Sequence, residues 1–283
     1  LGLRLGDGFV AAAISFSSGF VVLVALSAIL PAGRRGFGRL RAGIRDRTIP
    51  WWMLAGGLAG AFTVATQGLA VAVIGVSLFT VGVVAGQTVS GLVLDRAGYG
   101  PAGVVAITVP RLIGGLLALV AVGVSLQGDV LQRVPWWMLV MPVIAGAGIA
   151  WQQATNGRLR QRGGTPLTAT LVNFFGGTVV LVIAAAVHVA LVGAPFAVPT
   201  EPWLYLGGVI GVTYIFMSAA LVVHTGVLLL GLGTVAGQLV TAFALDALWP
   251  AAASPGWTTE LLMVIVAGAG VVIAAAPGAA RRR

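Results

Sequence analysis

Trp151–Gly177, WQQATNGRLRQRGGTPLTATLVNFFGG, is the stretch around which the chain is organised. It joins two apolar segments through a short arginine-bearing hinge at 157–165, and it gathers amides where the rest of the sequence is almost all hydrocarbon. Its second half has a counterpart at the start of the chain. Leu1 aligns with Leu159, Arg4 with Arg162, Gly6 with Gly164, Phe16 with Phe174 and Gly19 with Gly177, and the register continues as Val21–Val24 against Val179–Val182. Further along, Pro50, Trp51 and Leu54 match Pro202, Trp203 and Leu206, and AGQTVSGLVLD (Ala85–Asp95) matches AGQLVTAFALD (Ala236–Asp246). The chain therefore reads as an internal duplication, 1–130 and 131–283, with an offset of about 150 residues.

Composition sets the solvent. With 59% hydrophobic residues, 8% charged and a mean hydropathy of +1.05, the 283 residues carry more apolar surface than a water-facing exterior allows. A spanning helix needs about 20 apolar residues. Nine spans are predicted, at roughly 8–32, 50–71, 76–94, 110–126, 136–155, 166–190, 203–223, 227–246 and 257–276. The runs are too long, and too little alternating, for a barrel. The expected fold is thus all-α, a polytopic transmembrane bundle.

Charge gives orientation. The net charge of +9 comes from sixteen Arg set mostly between apolar runs, which marks cytoplasmic loops and not a nucleic-acid-binding face. Six of them, Arg34, Arg35, Arg39, Arg41, Arg45 and Arg47, fill the first loop. Counting spans from there puts Arg96, the Arg158/Arg160/Arg162 group and the C-terminal Arg281–Arg283 on the same, cytoplasmic side. Tryptophans at predicted helix ends (Trp51, Trp52, Trp136, Trp137, Trp203, Trp249, Trp257) form the expected aromatic belts.

Five helices per unit would make the second unit enter the membrane upside down, and inverted repeats are the signature of alternating-access transporters. The second unit has a helix before its hinge that the first lacks, so an N-terminal helix is expected to precede Leu1 in the complete design.

Polar side chains at membrane depth are the functional candidates. Gln152, Gln153 and Asn156 are expected near the cytoplasmic end of their helix, with Trp151 as an aromatic wall and Asn173 and Phe174 in the next helix. Gly82-x-x-x-Gly86-Gln87 and Gly233-x-x-x-Gly237-Gln238 repeat a close-packing face with a Gln at the matched place. These Gln either tie two helices together or flank the substrate path. Gln67 and Tyr214 are further candidates for a cavity. The competing reading for every amide is interhelical glue. His188 and His224 are read as interfacial, and Asp95 and Asp246 as helix-end or interface fixtures. With no Cys and no catalytic or dinucleotide motif, no enzyme, metal or cofactor is expected.

The QxxxNGxL run, the Gly-Thr-Pro and Asn-Phe-Phe-Gly-Gly that follow, and the paired AGQ…LD helices resemble the YdcZ-like branch of the drug/metabolite transporter superfamily. The resemblance implies a bacterial inner-membrane transporter with two inverted five-helix repeats. It carries motif positions Gln152, Asn156, Asn173, Phe174, Gly177, Gln87, Asp95, Gln238 and Asp246 onto this chain. The expected function is secondary transport of small organic metabolites or drug-like compounds; a non-transporting subunit or scaffold is the alternative. Expected partners are a small-molecule substrate, the bilayer and, optionally, a second copy of the chain.

Overall fold

Glycine, proline and threonine punctuate the helices. The structure, a computed structural model, describes residues 1–123, 136–193, 199–248 and 257–276. Among these the chain is all-helical, with nine α-helices: α1 (Gly2–Leu5), α2 (Gly8–Ile29), α3 (Pro31–Arg45), α4 (Gly56–Arg96), α5 (Val109–Gly123), α6 (Trp136–Gly163), α7 (Pro166–Val192), α8 (Gly207–Leu248) and α9 (Trp257–Ala275). Short 3₁₀ turns, Trp51–Leu54 and Pro202–Tyr205, lead into α4 and α8. Among the described residues, four stretches are long and apolar enough to cross a membrane: Gly8–Ile29, Pro166–Val192, Pro202–Thr241 and Trp257–Ala275. The tryptophans expected at helix ends fall there, apart from Trp249, which lies outside the described residues.

Two expectations are corrected. The arginine-rich first loop is a helix, α3, whose buried face is Gly33, Gly36, Leu40 and Gly43. That 3-4-3 spacing is helical, but glycines take the place of apolar residues, so no hydrophobic stripe announces it. The hinge at 157–165 shrinks to two residues. Helix α6 runs on through Gly157 to Gly163, Gly164 turns with φ of +80°, and Thr165 caps α7 by accepting from the Thr168 N–H at 3.1 Å. Left-handed Gly, Thr cap and Pro at N1 are sufficient to stop one helix and start the next. Predicted spans 50–71 and 76–94 fall within α4 and the turn that leads into it, and 203–223 and 227–246 within α8 and its own leading turn. In α8 two helical segments meet at a break between the predicted spans, at Gly226, with φ 75° and ψ 176°.

The chain packs as two compact units, one of 1–69 with 151–224 and one of 70–150 with 225–283, so each draws on both halves of the sequence. In the first unit α2 crosses α7 through matched residues. The Phe16 and Phe174 rings stack with centroids 5.1 Å apart. A methyl on Gly19 would meet the Phe174 ring, and one on Gly177 would meet the Phe16 ring. Likewise Gly57 lies against the Asn173 carbonyl and Gly177 N, and Gly208 against the Ser15 carbonyl and Gly19 N. Small residues let backbones approach this closely, which is how helices associate in lipid. Leu23, Met53, Leu159 and Leu181 are fully buried around these crossings.

In the second unit α5 packs along α9, with Gly114 on the Gly270 carbonyl and Ala274. The Gly82–Gly86 face of α4 sits on α6: Gly82 on Pro142, Gly86 on the Val143 carbonyl, and reciprocally Gly146 on the Val83 carbonyl. Leu228, Leu232 and Ala118 form the buried core beside them.

Candidate functional site

Continuation of α6 through Gly157 places Gln152, Gln153 and Asn156 well inside a helix. Gln152 and Asn156, four residues apart, share a face. Both meet Asn173 of α7. The Gln152 Nε2 donates to Asn173 Oδ1 at 3.2 Å, and Asn173 Nδ2 donates to Asn156 Oδ1 at 3.3 Å. All three are at most 3% exposed. Glycines of α4 close over them: a Cβ on Gly56 would come within 2.6 Å of Asn156 Oδ1, and one on Gly60 within 2.7 Å of Gln152 Nε2. The chain Gln152–Asn173–Asn156 is therefore a packed lock between α4, α6 and α7. Each member supplies what its neighbour lacks, as buried polar groups require.

Gln153 leaves that face. Its Nε2 donates to the Tyr214 hydroxyl on α8 at 3.3 Å, while its Oε1 is buried with no hydrogen-bond partner among the described residues. A buried amide oxygen left unpaired costs about 1–3 kcal/mol. Its half-exposed partner, Tyr214, is 37% accessible. Trp151 precedes this pair and is partly buried.

Phe174 belongs to the α2–α7 crossing and points its ring at Phe16 and Gly19, so packing accounts for it. Gln67 is exposed on α4 and Gln238 on α8, outside both amide groups. The paired GxxxG expectation is also corrected. Gly233 and Gly237 face open space, whereas Gly82 and Gly86 pack on α6. Helices α4 and α8 do meet within the second unit, but through Gln87 on Gly231, Gly91 on Leu228 and Val84 on Val235. The Gln87 Nε2 is a second buried amide group with no partner among the described residues.

Sequence reasoning underrated Asp95. It is 1% exposed and accepts from the Val227 and Leu228 N–H groups at 2.7 and 3.2 Å, just past the Gly226 break. Arg111 pairs with it at 2.9 Å and donates on to the Thr225 carbonyl at 3.4 Å. The carboxylate thus caps the helical segment that restarts after Gly226, where an anion is favoured. The guanidinium takes a carbonyl on the other side of the break. Asp95 is a helix-end fixture as expected, but the end it fixes belongs to a different helix. The corresponding side chain, Asp246, lies outside the described side chains. His188 is partly exposed and faces Asp7 at 3.6 Å beside a cavity of about 200 Å³. Glu260 lies in the first turn of α9 and is buried.

No curated protein matches the chain. A family model described as a putative inner membrane exporter, YdcZ, matches it over residues 1–126 and 130–275. That covers nearly the whole of an all-helical chain whose apolar helices suit a bilayer. The protein therefore belongs to the YdcZ family of the drug/metabolite transporters, multi-pass proteins of the inner membrane.

Proposed function

We propose that the protein is a secondary transporter of small organic metabolites or drug-like compounds, working by alternating access between two inverted repeats, with Gln153 as the principal substrate contact. The observation that carries this reading is the unpaired Gln153 Oε1 on a side chain bonded to the partly exposed Tyr214, in a region whose other amides satisfy each other. A buried acceptor without a partner is a group held ready for a ligand donor. With Trp151 two residues away and no charge on these groups, the substrate class that fits is neutral or zwitterionic and hydrogen-bonding. The repeat reading is supported by the Phe16/Phe174 and Gly19/Gly177 reciprocity, where residues matched in sequence contact each other in mirrored pairs. It is supported too by the family match in two consecutive stretches. Gln87 has a similar free donor and takes the same role in the second unit.

For Gln152, Asn156 and Asn173 the packed geometry favours the glue reading, so the amides divide into lock and contact. The division is testable in proteoliposomes loaded from a defined mixture of neutral and zwitterionic metabolites, with lumenal contents read by mass spectrometry. Gln153→Ala should lower saturable accumulation about tenfold, the loss of one strong hydrogen bond to a ligand, and leave the melting temperature near wild type. Asn173→Ala should instead lower stability, by about 0.6–2 kcal/mol for each amide bond lost. Unchanged transport in a folded Gln153→Ala protein sinks the site. If no metabolite accumulates and none shifts melting, the scaffold reading replaces transport.

A further inference from the structure

A cavity lies away from the amides, in the first unit, where α3 folds back on α2 and α7. Gly33 permits the fold-back by lying against the Ser27 backbone, and Gly36 by lying against the Thr168 and Thr165 hydroxyls. The resulting groove holds about 570 Å³. Its walls are aliphatic and aromatic, including Phe20, Val24, Phe37, Leu171 and Phe175, and Arg34 stands in its lining. One polar residue of the lining is itself buried. Ser27 lines the groove at 8% exposure, and its hydroxyl has no hydrogen-bond partner among the described residues.

An apolar slot with a guanidinium and an orphan hydroxyl fits a molecule with a hydrocarbon body and an anionic, hydrogen-bonding head. Three observations select the occupant. The groove opens onto exposed apolar residues, since Val24 is 46% exposed, Phe37 55% and Phe175 56%. The helix that roofs it is amphipathic and carries Arg34, Arg35, Arg39 and Arg41, the pattern of an interfacial helix on an anionic leaflet. No acidic residue lies in the groove lining. We infer that this groove is a specific site for one anionic phospholipid of the surrounding leaflet, its acyl chain between α2 and α7 and its phosphate against Arg34 and Ser27. The site is separate from the amides and does not rest on the transport reading.

Titration of delipidated protein with phosphatidylglycerol or phosphatidylcholine, read by native mass spectrometry, tests it. Wild type should retain one phosphatidylglycerol about tenfold more tightly than phosphatidylcholine, and Arg34→Gln should remove about fivefold of that. Ala28→Trp, at an exposed position of the lining, should block the slot, and Ser27→Val should weaken retention two- to threefold, about the effect of one modest hydrogen bond. Arg45→Gln, on an exposed guanidinium paired with Asp46 at the far end of α3, should change nothing. Equal retention of the two lipids overturns the proposal. So does an Arg45→Gln loss as large as that of Arg34→Gln, which would mean diffuse charge attraction. Displacement of the lipid by equimolar glycerol phosphate would reduce the site to an anion contact and also overturn it. If Ala28→Trp retains lipid like wild type while melting normally, the acyl slot is not the groove described.

Discussion

At the residue scale the strongest single commitment is Asp95. A carboxylate buried to 1% exposure is tolerable because it has three partners: Arg111 and the two N–H groups that restart α8. Removing one member of a buried pair leaves the other charge uncompensated, and such deletions cost about 3–5 kcal/mol. Asp95→Ala should therefore destabilise the protein by that order, measured by denaturant unfolding followed through tryptophan fluorescence. Asp95→Asn keeps an oxygen for one of the N–H groups and should lose less. Equal stability of Asp95→Ala and wild type would show that the Gly226 break does not depend on this clip. The partners of this carboxylate were not visible in the chain. An Asp after an apolar run reads as an interface residue, and its acceptor role depends on backbone 132 residues away. By contrast, Gln152, Gln153, Asn156 and Asn173 were identifiable as a group, because amides in an apolar run are rare and must find partners. What the sequence hid was which amide is left over. One extra residue of helix rotation separates Gln153 from Gln152, and only the neighbours' positions decide that Gln152 meets Asn173 while Gln153 meets Tyr214.

At the scale of elements, glycine faces carry the packing, and they differ in use. Gly86 and Gly237 occupy matched places in matched GxxxG faces. A Cβ on Gly86 would overlap the Val143 carbonyl, whereas one on Gly237 meets nothing within 4 Å. Gly86→Ala should thus push α4 from α6 at a cost of about 1–3 kcal/mol. Gly237→Ala should be neutral, or stabilising by about 0.5–1 kcal/mol through helix propensity. Thermal melting of the two variants side by side checks both signs, and equal destabilisation would contradict the asymmetry. The motif recurs in sequence, but whether it is used depends on the partner surface, which the motif does not encode. The same holds for α3. Its Gly33, Gly36, Leu40, Gly43 face has helical spacing, yet it becomes a packing face only where α2 and α7 present backbone to it. Helix existence was readable from run length throughout. Helix ends were less so, since Gly157 passes silently through α6 while Gly164 stops it.

At the scale of the whole molecule, charge distribution and helix length make a joint prediction about α4. The sequence has no charged residue between Arg47 and Asp95, so the 41 residues of α4 hold about twice the ~20 apolar residues that one crossing needs. If α4 crosses once, the surplus is apolar helix in water, and Arg158, Arg160 and Arg162 fall on the opposite side from the six arginines of 34–47. If α4 crosses twice, all these groups are cytoplasmic, as positive charges in short loops prefer. A double crossing needs a break near the middle, and Gly75 is the residue that matches the Gly226 break of α8 in the duplicated register. We therefore expect α4 to turn back at Gly75 in the bilayer. The chain has no Cys, so every introduced thiol is a clean reporter. Gly38 has open space around it, and Ala102 and Thr200 are exposed, which makes all three suitable for substitution by cysteine. In intact cells a membrane-impermeant maleimide should label Thr200→Cys and spare both Gly38→Cys and Ala102→Cys until the membrane is permeabilised. Labelling of Ala102→Cys from outside, with Gly38→Cys protected, would mean that α4 crosses once and that the nine-span reading is wrong. Labelling of Gly38→Cys from outside would reverse the orientation and remove the charge argument itself.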